Sequence, residues 1–237
     1  MDFGEVIRTF SESGSEPPNF FSASHQLADD IDMMQMYQLY SAGIMGLRTK
    51  LEILDSEFML NYDHKPIHHI EHRLKTPASI KEKLLKRKLP LQVATIRSEI
   101  KDVAGIRVIC SFLEDLYHVS GFLLSQKDVR LVEKKNYILS PKPSGYRSLH
   151  LVVSIPIYLS DRTEQVLVEL QFRTIAMDFW ASLEHQLKYK SPFPVPKHLH
   201  SELHDCADAI ASLDLRMERI HQKILENRLA QKQEPFL

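Results

Sequence analysis

Glycine is scarce in this chain. Seven residues in 237 are glycine, and none opens a Gly-x-x-x-x-Gly-Lys run, which excludes a P-loop kinase. Cysteine is scarcer, with Cys110 and Cys206 alone, so the expectation is a reduced cytosolic protein with two packed thiols. No apolar run approaches the ~20 residues that span a bilayer. The first ten residues are mixed and acidic, which does not fit a signal peptide. An excess of one charge is missing too. A net charge of −1 argues against a general nucleic-acid binder, which is basic over a whole face, so no DNA or membrane partner is expected. Neither a Ser–His–Asp nor a Cys–His nucleophile pattern is present. Room remains for a local basic pocket that grips small anions.

The apolar share, 43%, is that of an ordinary globular protein. Residues 1–25 end in a Ser-, Pro- and Glu-rich stretch and read as a mobile tail. A long helix is predicted from Ile31 to Phe58, because Tyr37, Tyr40, Ile44, Leu47, Leu51, Leu54 and Phe58 recur at steps of three and four. Residues 67–75 read as a strand, with a helix as the alternative, and a helix then runs from Pro77 to about Lys88 with Thr76 as N-cap. Strands at 105–112 and 129–134 bracket a helix at 114–126. Residues 138–148 carry turn chemistry. A hairpin joins 149–158 to 165–174 around 160–163, and a helix spans 175–189. The proline-rich 191–196 is a linker, and a last helix runs from about 199 to 229.

That order predicts an α/β (α+β) fold: a mixed sheet of about five strands flanked by helices, with long helices at both ends. The domain covers 26–198, and 199–237 is a C-terminal helix for packing or oligomerisation. Leu203, Cys206, Ile210, Leu213, Met217, Ile220 and Ile224 repeat the three–four step there. This seam and that of the first helix either pack on each other or join subunits.

The run Val166 to Arg173 carries the strongest functional signal. With a period of two, Val166, Val168, Leu170 and Phe172 face one side, and Leu167, Glu169, Gln171 and Arg173 the other. A carboxylate, an amide and a guanidinium thus stand in a row on a rigid strand. Asp102 precedes the strand at 105–112, so the two acids together suit Mg²⁺ and activation of a hydroxyl. Ser79, Lys83 and Lys86 share one helix face near Arg73 and Lys75. This is either a solvated face or a phosphate cradle at a helix N-terminus. Tyr146, after Gly145, is a loop aromatic or a base-stacking platform. His68, His69 and His72 alternate along a strand, so they do not converge on a metal.

Taken together, Arg73-Leu-Lys75, Ser79 to Lys86, Asp102-Val-Ala-Gly-Ile-Arg107, Lys142 to His150, Val168-Glu-Leu-Gln-Phe-Arg-Thr174 and Ala176-Met-Asp-Phe-Trp-Ala-Ser-Leu-Glu-His185 resemble the small alarmone synthetases. These are single-domain relatives of the RelA/SpoT synthetase, with a nucleotidyltransferase-like sheet. The histidine-rich stretch is similar to the RelP-type subgroup. The resemblance implies transfer of pyrophosphate from ATP to the 3′-hydroxyl of GDP or GTP, without hydrolase activity. It implies Mg²⁺ on Asp102, with Glu169 assisting as a second metal ligand or as general base for that hydroxyl. Arg73 and Arg107 would sandwich adenine, and Lys75, Ser79, Lys83 and Lys86 would hold the ATP phosphates. For the acceptor it implies Tyr146, Lys142, His150, Gln171 and Asp178, the last where relatives often carry Asn. A cytoplasmic homotetramer is the expected form. A non-catalytic sensor and a nucleotidyltransferase releasing pyrophosphate are the competing readings.

Overall fold

The alternation along Val166–Arg173 is resolved by burial: Val166, Val168, Leu170 and Phe172 are all buried, the last three at 0% exposure. They belong to a five-stranded mixed sheet that positions every candidate side chain. The computed structural model describes residues 26–62, 64–189 and 196–233. The chain divides into two units, Met1–Met36 and Tyr37–Leu237. In the first, residues 26–36 are helical, and the expected tail at 1–25 lies outside the described residues. So does all but the last residue of the expected linker at 191–196.

In chain order the elements are α1 (Gln26–Tyr62), β1 (Ile67–Leu74), α2 (Pro77–Lys86), α3 (Val93–Glu99), β2 (Ala104–Cys110), α4 (Leu113–Ser125), β3 (Arg130–Asn136), β4 (Leu149–Tyr158), β5 (Thr163–Thr174), α5 (Ile175–Tyr189) and α6 (Lys197–Gln233). The strands lie in the order β1-β2-β5-β4-β3. Only the β2–β5 pair is parallel; β1–β2, β4–β5 and β3–β4 are antiparallel.

The second unit builds its core by laying the apolar stripe of α1 on the sheet. Tyr40, Ile44, Leu47, Leu51 and Leu54 are buried. Gly43 permits close approach, since a Cβ there would sit 3.0 Å from Val166 and 3.2 Å from Val168. The seam of α1 is therefore used against β5. The seam of α6 is not: Leu213, Met217, Ile220 and Ile224 stay exposed. The first half of α6 packs on α5 through Trp180, Ala181 and Ala207, and Glu218 accepts from the Leu113 and Glu114 amides at the start of α4.

Several expectations need correction. Helix α3 carries no sequence signal: only Ile96 is buried within it, and its N-cap Gln92 makes no side-chain bond, so neither period nor cap announces it. Cys110 is buried but Cys206 is exposed, because the α6 face that bears it meets solvent. A bulge between Ile67 and His69 breaks the strict alternation. It brings His68 Nδ1 within 2.7 Å of His69 Nδ1.

Candidate active site

Sheet register builds the site. One row across the strands reads Glu71, Arg107, Gln171, His150, Lys135, and the next reads Arg73, Gly105, Glu169, Val152, Glu133. These residues share the face opposite α1, because partners in register point the same way. Gly105 supplies the space over which Arg73 lies, with Arg73 Cγ 3.7 Å from where a Cβ would be. Arg73 and Arg107 are diagonal neighbours on β1 and β2, a spacing of roughly 7–8 Å.

Asp102 stands two residues before β2. Lys75 Nζ lies 2.7 Å from its Oδ2, and Lys83 Nζ, from α2, lies 2.7 Å from its Oδ1. Burial pushes this carboxyl up, but the two lysines outweigh it and hold the pKa below its ordinary value. Lys83 reaches the site because Thr76 caps α2, accepting from the Ser79 amide, with Pro77 at the first turn. Ser79 and Lys86 stand exposed on the same helix, Ser79 tied to the Thr76 hydroxyl.

Glu169 pairs with Gly105 across the parallel ladder, three residues on from Asp102. Burial raises its pKa most, and the Asp102 charge also pushes it up. Hydrogen bonds and charge from His150, with the Gln171 amide, reverse that and leave it lowered. Gln171 Nε2 donates to Oε2 at 2.9 Å, and His150 Nδ1 lies 3.3 Å from Oε1.

The loop before β4 brings the aromatic group. Gly145 takes a φ of +87°, and its amide donates to the Lys142 carbonyl at 2.8 Å. The resulting turn aims Tyr146 at β4 and β5, where its hydroxyl meets His150 Nε2 at 2.8 Å and accepts from Arg173 at 2.8 Å. Lys142 Nζ lies 4.6 Å from the ring centre of Tyr137 and 4.7 Å from that of Tyr146. Asp178, in the first turn of α5, is drawn to Arg173 at 2.8 Å and to Arg107 at 3.6 Å. Its carboxylate is thus turned toward the sheet face that carries Glu169 and Gln171.

Asp102, Glu169, Lys75, Lys83, Arg107, Gln171, His150, Tyr146 and Asp178 thus converge on one face. Four participants were given no role from sequence. Arg173 was legible as the end of the row Glu169, Gln171, Arg173, yet nothing announced that it would be 5% exposed. Tyr137 gave no signal. Glu71 pairs with Arg107 at 2.7 Å, which β1–β2 register sets. Arg147 pins the loop to α6 through the Ala207 carbonyl and Asp208.

Residues 72–192 match the family described as the region found in RelA / SpoT proteins. The GTP pyrophosphokinase YwaC of Bacillus subtilis is 42% identical over 186 residues, covering 78% of this chain and 89% of that one. The chain belongs to the RelA/SpoT family, among its small alarmone synthetases. A second Bacillus subtilis protein of the family, the GTP pyrophosphokinase YjbM, is 35% identical over 85% of this chain and 94% of its own. Solved structures of the family agree. Small alarmone synthetase 2 from Bacillus subtilis superposes with a TM-score of 0.73 at 41% identity, covering 81% of this chain and 99% of that chain. Small alarmone synthetase 1, bound to its product pppGpp, gives 0.72 at 36% identity, covering 78% and 94%.

Proposed function

We propose that the protein is a GTP pyrophosphokinase that moves the β,γ-pyrophosphate of ATP onto the 3′-hydroxyl of GDP or GTP. The products are AMP and ppGpp or pppGpp, made without accompanying hydrolysis. One observation carries the reading: the parallel β2–β5 register sets Glu169 beside Gly105, three residues on from Asp102, with lysines on the one acid and donors from β4 and β5 on the other.

Mg²⁺ fits these residues. Two carboxylates with oxygen donors are what this ion takes from protein when phosphates supply the rest of its shell. Asp102 and Glu169 would hold it, and Lys75 and Lys83, now on Asp102, are ammonium groups that phosphate can claim. When bound, the ion neutralises charge on the transferred phosphoryl oxygens.

The chain's own residues supply the rest. Arg73 and Arg107 clasp adenine with planar faces that Lys lacks. Lys75, Ser79, Lys83 and Lys86 grip the ATP phosphates. Tyr146 stacks on guanine and Asp178 accepts from its N–H edge, with Gln171 beside them. Lys142 meets the acceptor's phosphates, while His150, with its ring nitrogens on Tyr146 and Glu169, turns to the carboxylate instead. Glu169, kept ionised, takes the proton of the 3′-hydroxyl as that oxygen attacks the β-phosphorus, and the α–β bridging oxygen leaves with AMP. General-base help of this kind is worth about 10²–10⁴ in rate.

The exposed apolar stripe of α6 supports assembly as a homotetramer. Among the described residues no helix is long and apolar enough to cross a membrane. Use of ATP and guanine nucleotides supports a cytoplasmic location. The test is chromatography of ATP, GDP and Mg²⁺ incubated with the protein. Guanosine tetraphosphate and AMP should accumulate, and Glu169→Gln should abolish both with the fold intact. Full turnover by that variant would remove Glu169 from the reaction.

A further inference from the structure

Five side chains close a ring behind the candidate site. Arg173 Nη2 donates to Tyr146 Oη at 2.8 Å and to Gln171 Oε1 at 3.3 Å. Gln171 Nε2 donates to Glu169 Oε2 at 2.9 Å. On the other side Tyr146 Oη meets His150 Nε2 at 2.8 Å, and His150 Nδ1 meets Glu169 Oε1 at 3.3 Å. Outside the ring, Arg173 Nη1 holds Asp178 at 2.8 Å.

The direction of every bond follows from the two poles. A guanidinium can only donate, and an ionised carboxylate can only accept. Because Gln171 spends its oxygen on Arg173, its NH₂ must face Glu169. Because the Tyr146 oxygen accepts from Arg173, its proton is available to His150 Nε2. That leaves the imidazole proton on Nδ1, aimed at Glu169. Two arms, one through an amide and one through a phenol and an imidazole, therefore deliver a donor each to the same carboxylate.

We propose that Arg173 is the positioning residue that polarises both arms, so that seating the acceptor base and orienting the catalytic carboxylate are one event. The proposal rests on the pyrophosphate-transfer reading and extends it. Arg173 is not placed to grip a phosphate itself, since its side chain is 6% exposed. Nor does stability alone account for it. Burying a guanidinium is costly, and its Nε has no hydrogen-bond partner among the described residues. Two of its contacts, Tyr146 and Asp178, are the residues assigned to guanine. The ends of its two arms are the two donors on Glu169. Without a fixed donor at Arg173, the Gln171 amide is free to turn its oxygen toward Glu169, and the Tyr146–His150 arm loses its direction. Lys cannot substitute, because one ammonium does not reproduce a fork spanning Asp178 on one side and Tyr146 with Gln171 on the other.

The test is a kinetic cycle on the full chain with ATP, GDP and Mg²⁺, comparing wild type, Arg173→Lys, Gln171→Ala and the double variant. Arg173→Lys should lower kcat about tenfold or more, as misplacement of a reacting group does, while KM for ATP stays within about twofold. The double variant should be no more than about twofold worse than Arg173→Lys alone, since both changes break the same arm. A merely structural role would lower the melting temperature and leave the two costs independent. Should Arg173→Lys fail to fold, Tyr146→Phe cuts the other arm while keeping the ring. Its kcat should drop severalfold with KM for GDP little changed. Wild-type kcat in Arg173→Lys or in Tyr146→Phe, or fully multiplicative costs in the cycle, overturns the proposal. Absence of AMP from the wild type itself would instead overturn the transfer reading on which it stands.

Discussion

Lys83 Nζ and Asp102 Oδ1 lie 2.7 Å apart, and that pair joins the helix expected to cradle phosphate to the strand end expected to hold metal. Lys83→Met leaves Asp102 with Lys75 alone. Charge-assisted contacts are worth ~1.5–3 kcal/mol, so kcat/KM with respect to ATP should fall about 10- to 100-fold. KM for GDP should change little. Initial rates at varied ATP and fixed GDP check this.

The acceptor loop depends on Gly145. Its φ of +87° is one that L side chains rarely adopt, and a Cβ there would meet the Ala207 Cβ at 2.6 Å. Gly145→Ala should cost about 1–3 kcal/mol of stability from backbone strain alone. Because Tyr146 and Lys142 shift with the turn, KM for GDP should rise while ATP binding persists. Thermal denaturation and calorimetric titration with each nucleotide separate the two effects.

Asp214 contributes a pH signature. Thr174 donates to it at 2.5 Å and accepts from the Met177 amide at the start of α5. Burial pushes the Asp214 carboxyl up, only partly offset by the Thr174 bond, and Glu218 adds repulsion. A carboxyl raised in the folded state loses stability as pH rises from its unfolded value, about 3.9, through the folded one. Asp214→Asn keeps an oxygen for Thr174 and removes the charge. The variant should melt above wild type at pH 7, with the gap closing below about pH 4. A gap independent of pH would contradict this.

Oligomerisation is tested on α6. Met217 and Ile220 are 47% and 44% exposed and share a face. Changing both to Glu should lower the mass measured by light scattering without lowering helix content, because charges are excluded from apolar subunit contacts.

Much of this was legible in the chain because the relevant signals are local. The period-two row Glu169, Gln171, Arg173 placed the site face of β5, and the Thr76-Pro77 cap placed α2. The two heptad seams were visible, but sequence period alone did not show that α1 would spend its seam on β5 through Gly43 while α6 leaves its own exposed. Helix α3 was hidden because it is short, uncapped and buries a single residue of its own. The ring through Arg173 was hidden for a different reason. It depends on the β4–β5 register, which sets His150 opposite Gln171, and on the turn at Gly145 that returns Tyr146 to Arg173, and neither is written in a period or a cap.

The central claim concerns which phosphorus is attacked, and ATP labelled on its γ-phosphate reports it directly. Pyrophosphate transfer sends the label into guanosine tetraphosphate and releases unlabelled AMP in equal amount. Label recovered as free pyrophosphate, with AMP joined to the acceptor, would contradict the account.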